Sequence, residues 1–193
     1  MWLTPVTLQG KHVTLLPLEQ QYLEALKTAV ADGDIWKVRA AQVPHPDEMD
    51  QEIKRRLKLQ ENGLMLPFVV LNQQKKVVGM TCYSNIDNDN KRTDIGWTWY
   101  CKSAQKTALN TECKSLLLQQ AFEFYDAIAV GFKVDALNYR SQIAVERIGA
   151  KKEGIIRNYS LLNDGNLRDM IFYSILPSEW PNIKAHLKYL QDQ

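Results

Sequence analysis

At 193 residues the chain can bury one substantial core and is short for two. Its 45% hydrophobic and 24% charged content is ordinary for a globular protein and argues against disorder. A net charge of +2 is too small to attract nucleic acid, so any basic site must be local.

The three cysteines, Cys82, Cys101 and Cys113, are odd in number and lack CxxC spacing. They read as reduced thiols of a cytosolic protein, not as a disulfide frame or zinc site. His12, His45 and His186 are far apart and form no HExxH pair, so metal catalysis has little support. No apolar run approaches membrane-spanning length, and M-W-L-T-P lacks a basic segment followed by an apolar one. The expected compartment is the cytoplasm, with neither membrane nor nucleic acid as partner.

In chain order, the residues to Gly10 read as a surface arm, and His12 to Leu16 as a first strand closed by Pro17. Tyr22, Leu23, Leu26 and Val30 lie at helical spacing in a helix from Leu18 to Val30, ended by Asp32-Gly33-Asp34. Ile35 to Pro46 is irregular, with Trp36 as an apolar plug. Asp47 is the expected N-cap of a helix from Glu48 to Gln60, with Met49, Ile53 and Leu57 a turn apart. A three-strand meander comes next, at Leu66–Leu71, Val77–Ile86 and Thr93–Tyr100, with polar turns at Asn72–Lys75 and Asp87–Asn90. A helix is expected from Thr107 to Tyr125, a short strand over Phe132–Ala136, and a short helix over Ser141–Ile148 ended by Gly149. Ile155–Leu162 and Asp169–Leu176 form a hairpin around Asn163–Asn166, and Pro177 opens a last helix to about Leu190. The pattern is a single α/β domain with a mixed sheet, its core over residues 10–176.

Several chemistries lack their motif: there is no GxxxxGK[ST], no GxGxxG after a strand and no GxSxG. One helix start, from Gln105 to Thr111, has the look of an anion site. Small polar residues there lead into orphan N–H groups at the positive end of a helix dipole. The plainer reading is a helix cap on an edge loop.

Three blocks carry a resemblance. They are L-P-F-V-V-L-N-Q-Q-K-K-V-V-G-M-T, D-I-G-W-T-W-Y followed by Q-K-T-A-L-N-T-E, and V-D-A-L-N-Y-R-S-Q-I-A-V-E-R-I-G-A-K-K-E-G. In this order they resemble the GNAT superfamily of acyl-CoA-dependent N-acetyltransferases, closest to its RimJ/RimL-type branch. The resemblance runs from about Gly10 to Leu190.

It implies an α/β GNAT fold with helices on both faces of a mixed, mostly antiparallel sheet. The strands counted four (Thr93–Tyr100) and five (Phe132–Ala136) in that family would splay like a V. The pantetheine arm of acetyl-CoA would lie in the opening beside Trp99 and Tyr100. Its diphosphate would meet the N–H groups of Gln105, Lys106, Thr107, Ala108, Leu109, Asn110 and Thr111. The loop departs from the family pattern in having Ala108 for Gly and Asn110 for a small residue. If position 108 needs φ > 0, Ala costs on the order of 1 kcal/mol.

By the same resemblance Asn138 would bond the pantetheine and Ser141 would donate to the sulfur; the plainer reading makes Asn138 a helix cap. Asp94 stands where relatives carry an acid that takes the amine's proton, although an ion pair at the sheet edge is the plainer role. Tyr139 is a second candidate near the thiol, and Trp36, Trp97, Trp99 and Tyr100 would shape the acceptor side. Arg140 and Lys114 would meet the phosphates. Cys113 has two readings, a reactive thiol at a helix start or a packed core residue.

The activity implied is acetyl transfer from acetyl-CoA to a primary amine, on a protein N-terminus or a small molecule, without an acyl-enzyme. No metal is implied, and a homodimer is compatible. The alternative is a catalytically degenerate CoA-binding regulator or scaffold, or a plain interaction domain that binds no CoA.

Overall fold

The structure, a computed structural model, describes residues 2–38, 43–162 and 164–191. Parts of two expected features, the irregular stretch from Ile35 to Pro46 and the turn at Asn163, lie outside the described residues.

The elements in order are β1 (Leu8–Gln9), β2 (Val13–Pro17), α1 (Leu23–Ala31), α2 (Met49–Glu61), β3 (Met65–Asn72), β4 (Val77–Asp87) and β5 (Arg92–Tyr100). After these come α3 (Ala108–Gln119), β6 (Ala129–Asp135), α4 (Tyr139–Arg147), β7 (Lys151–Leu161), β8 (Leu167–Ile175) and α5 (Trp180–Gln191). The strands form one sheet in the order β1-β2-β3-β4-β5-β6-β8-β7. Every pairing is antiparallel except β5 with β6.

Helices cover both faces. Ile53 and Met49, one turn apart, turn α2 toward β3, while Lys54–Asp50 and Lys58–Glu61 ion pairs decorate its outer side. On the other face α3 buries Cys113, Leu117 and Leu118 and packs against α5 through Ile183 and Leu187. The Tyr83 hydroxyl donates to the Leu117 carbonyl, which fixes the α3-facing side of β4.

Several expectations change: α1, β6 and β7 begin at Leu23, Ala129 and Lys151 instead of Leu18, Phe132 and Ile155, and four further features differ. The N-terminal residues are not a loose arm: Leu3 is fully buried, Leu8–Gln9 pairs with β2, and Trp2 Nε1 donates to the Tyr125 carbonyl at 2.6 Å. The cap of α2 is built one turn earlier. His45 accepts from the Asp47 N–H at 3.3 Å, and Glu48 reaches back to the His45 N–H, so a 3₁₀ turn over Pro46–Glu48 leads in. The helix expected from Thr107 to Tyr125 stops as α-helix at Gln119 and widens into a π turn over Gln120–Phe124. The last helix begins at Trp180, after a turn in which Glu179 accepts from the Leu176 N–H.

Candidate active site

The parallel pairing of β5 and β6 is short. It joins Arg92 to Ala129, Thr93 to Val130 and Asp94 to Gly131, and then stops. β5 runs on to Tyr100 and β6 to Asp135 without pairing further. The edge of β5 beyond Asp94 thus faces an opening in the middle of the sheet, with backbone groups free to pair with something extended.

β5 also carries a bulge. Met80 pairs with Trp99 and Cys82 with Gly96, so Trp97 and Thr98 together oppose Thr81. Trp97 has φ 50° and its indole is 43% exposed. Arg56, from α2, donates through Nη2 to the Trp97 carbonyl at 3.2 Å, and Arg55 stacks 4.7 Å above the indole. Glu52 holds both guanidinium groups, at 2.7 Å from each Nε. Burial works against the Glu52 charge, but its hydrogen bond to Arg55 and the Arg56 charge outweigh it and hold the carboxyl below the usual range. Arg56 is 1% exposed, and its Nη1 meets no partner among the described residues.

At the mouth of the opening, the chain between β5 and α3 is tied down at its start. Ser103 donates to Asp32 through its N–H at 3.0 Å and its hydroxyl at 2.6 Å, and these bonds lower the Asp32 pKa. The Gln105 N–H is spent on the Lys102 carbonyl, and its side chain turns back to the Tyr100 carbonyl at 2.8 Å. Thr107 is the N-cap of α3 and accepts from the Leu109 N–H. The N–H groups of Lys106, Thr107, Ala108 and Asn110 take no partner among the described residues. Four free donors at a helix start are what an oxyanion group requires. Leu109 and Thr111 turn their side chains inward, the latter accepting from Arg147. A cavity of about 320 Å³ adjoins this loop, lined in part by His12, Gln73, Lys76, Thr107 and Ala108.

The conformational demand falls two residues earlier than expected. Ala108 is the first residue of α3 and is not left-handed; Lys106 takes φ 61°. The Ala-for-Gly departure therefore carries no backbone cost.

On the far side of the opening, Asn138 is the N-cap of α4, accepting from the Ser141 N–H at 3.1 Å. Asp135 accepts from the Leu137 N–H, and Gln142 closes on the Ala136 carbonyl, which pins the turn from β6 into α4. The Ser141 hydroxyl meets no partner among the described residues. Tyr139 stands 66% exposed at the helix start, and Arg140 is exposed beside it.

Asp94 marks the point where the strands part. Its carboxylate pairs with Lys133 Nζ at 3.2 Å and accepts from Asn85 Nδ2 at 2.8 Å. A Cβ at Gly131 would stand 2.2 Å from Asp94 Oδ1, so glycine there makes room for the carboxylate. Beside it a second cavity, of about 380 Å³, is lined by Arg92, Glu153, Phe172 and Ser174 among others. The ion pair is the role this geometry displays. Of the aromatic candidates, Trp99 and Tyr100 are buried, Trp36 packs partly against the core, and Trp97 reaches solvent.

Lys114 stands elsewhere than its sequence role implies, and Cys113 takes the core reading of its two. Lys114 is buried and bonded to Thr98, away from any exposed phosphate position. Cys113 is fully buried against Tyr100, and burial raises its thiol pKa, so it is core and not a reactive thiol. Arg56 and Glu52 went unread because i, i+4 charges on a helix look like a solvated face. The sequence held no signal that α2 would press Arg56 under a bulge.

A mixed sheet parted beside a helix start with free N–H groups defines an α/β acyltransferase architecture. The chain belongs to the GNAT acetyltransferase family: residues 12–151 match its model, described as "Acetyltransferase (GNAT) domain". It is 31% identical to "Putative ribosomal N-acetyltransferase YdaF" of Bacillus subtilis (strain 168) over 106 residues, 55% of this chain and 57% of that relative. The match thus spans little more than half the length of that curated relative. A solved "putative acetyltransferase" from T. thermophilus is 34% identical, with a TM-score of 0.84 and 98% of both chains covered. The "Microcin C7 self immunity acetyltransferase MccE", solved with acetyl-CoA and AMP, is 22% identical with a TM-score of 0.75 over 86% of this chain and 93% of its own. The last is a likeness of fold alone.

Proposed function

We propose that the protein transfers an acetyl group from acetyl-CoA to a primary amine, on a protein N-terminus or a small molecule, by direct attack without an acyl-enzyme. One observation carries the reading: the unpaired edge of β5 leads to four free N–H groups at the start of α3. An extended pantetheine arm suits the first and a diphosphate the second. The family relationship supports acetyl-CoA as the donor. The name of the Bacillus relative favours a ribosomal or other protein N-terminus in the manner of the RimJ/RimL branch. A cytoplasmic setting and a homodimer fit this reading.

Within it, the roles divide by position. Lys106 adds charge beside the diphosphate. Asn138 orients the arm while capping α4, and the Ser141 hydroxyl donates to the departing sulfur. Asp94 and the adjoining cavity lie on the acceptor side, where the carboxylate, held by Lys133, receives the ammonium group and takes its proton, directly or through water, so that the neutral amine attacks. Tyr139 and Trp97 shape the entrance, and the buried Trp99 and Tyr100 back the β5 edge behind it.

That same Asp94–Lys133 pair favours a second reading, a CoA-binding protein without turnover, because the acid is already engaged. Thiol release from acetyl-CoA, measured with a panel of small amines and N-terminal peptides, separates the two. Amine-dependent release establishes the transferase. Tight CoA binding with no release on any acceptor establishes the silent binder.

A further inference from the structure

Lys114 lies in the second turn of α3 and is 8% exposed. Its Nζ donates to Thr98 Oγ1 at 2.9 Å and stands 6.0 Å from the centroid of the Phe132 ring. Thr98 is the β5 residue next to the bulged Trp97, and Phe132 is the β6 residue just past the last β5–β6 pair. The amine therefore bridges the two strands on the α3 face, where they part. On the acetyl-CoA reading, the donor would enter the sheet between these same two strands, beside the amine.

A lysine is ordinarily buried beside a carboxylate or with its amine reaching back to water, and neither holds for Lys114. No carboxylate pairs with Nζ among the described residues. The Cys82 and Cys113 thiols nearby are kept protonated by burial. The buried amine does not snorkel to the surface. A leucine or methionine would fill similar space without the cost of desolvating a charge. Burial pushes the Lys114 pKa down, toward the neutral amine that acyl transfer consumes.

We propose that Lys114 is an internal acyl acceptor: with acetyl-CoA bound and no outside amine, the chain acetylates its own Lys114 Nζ. This rests on the acetyl-CoA reading above. The nitrogen lone pair forms a C–N bond to the acetyl carbon, and the C–S bond breaks with its electron pair on sulfur. A proton leaves the nitrogen and ends on that sulfur. The products are Nε-acetyllysine and the CoA thiol, and no further reactant is needed. The acetylated side chain is longer and uncharged and stays beside the opening. The modification thus limits later binding of the donor, and amine acceptors compete with it.

The test incubates the full chain with acetyl-CoA alone and follows intact mass and peptide maps. The expected result is one acetyl group on Lys114, suppressed by excess free CoA, while slow acetylation of exposed lysines such as Lys58 is not suppressed. Lys114→Arg and Lys114→Met should each lose this increment and keep a thermal shift with CoA. Two variants guard against one failing to fold. An unmodified Lys114 in a protein that binds acetyl-CoA and acetylates outside amines overturns the inference and leaves the transferase standing. Acetylation of Lys114 that free CoA does not suppress marks chemical background and also overturns it. No thermal shift and no amine transfer would remove the acetyl-CoA reading and this inference together.

Discussion

Lys106 holds a left-handed φ of 61° at the entrance to α3. A residue with a Cβ loses on the order of 1 kcal/mol there relative to glycine. Lys106→Gly should therefore stabilise the fold by about 0.5–1 kcal/mol, raising Tm by roughly 2 °C. If its ammonium serves a diphosphate, the same change weakens CoA binding and flattens its salt dependence. Paired urea melts and CoA titrations read both effects; tighter or unchanged binding would remove Lys106 from the site. Ser141 offers the opposite separation. Its hydroxyl has no partner within the described chain, so Ser141→Ala should change stability by less than about 0.5 kcal/mol. As proton donor to sulfur, its loss should lower kcat by on the order of 10²-fold. Steady-state kinetics beside a thermal melt check this, and an unchanged kcat would leave Ser141 a plain first-turn residue.

The joint between α2 and β5 depends on charges held out of water. Glu52 neutralises the buried Arg56, which in turn holds the Trp97 carbonyl. Glu52→Gln should cost about 3 kcal/mol near neutral pH by leaving Arg56 buried and uncompensated. Because the Glu52 pKa is lowered in the folded state, its stabilisation is complete above the unfolded value of about 4.3 and fades as pH falls through the folded value. Wild type and variant should thus converge in acid, and urea melts across that range would show it. A gap that stayed constant would place the role of Glu52 in packing. The elements themselves were legible where periodicity is strong. The run Leu66–Leu71 is the inside of β3, and the ends of α2 and α4 are set by Gly63 at φ 71° and Gly149 at φ 96°. The features that escaped depend on distant partners. Leu8 and Leu3 look like arm residues until β2 and the core receive them. Asp47 is the better cap by composition, yet Pro46 extends the first turn backward to His45. Lys114 reads as a surface charge because helix position alone cannot show that Thr98 and Phe132 enclose it.

Across the whole molecule, three residue pairs join β5 to β6, while β6 matches β8 along its length. Leaving aside the two-residue edge strand β1, the sheet is thus most weakly knit where the proposed ligand enters. A bound pantetheine should act as the missing neighbour of β5 and protect amides within Ile95–Tyr100 from hydrogen exchange. It should also raise Tm by the amount that mass action sets. Exchange with and without CoA measures this directly. Protection confined to α3, with none along β5, would mean that only the phosphates are held. The opening and the capped helix starts were foreseen from three sequence blocks. The anchoring of the loop by Asp32 and of α3 by Glu112 was not, because both join residues far apart in the chain. The Glu112 carboxylate accepts from the N–H groups of Lys11, His12 and Val13 and thereby clamps the β1–β2 turn.

The extra residue in β5 has one further consequence. Met80 faces Trp99 and Cys82 faces Gly96, so with Trp97 removed Thr98 would fall opposite Thr81 in an unbroken ladder. Every other side chain would keep its side of the sheet, because an insertion, unlike a register slip, can be taken out without reversing the residues beyond it. Deleting this one residue should leave a cooperatively folding chain with a straighter β5. It would lose the exposed indole and the carbonyl that Arg56 grips. Circular dichroism and a single thermal transition, set beside the rate of thiol release, would then separate the residues that make the shape from the one that makes it useful.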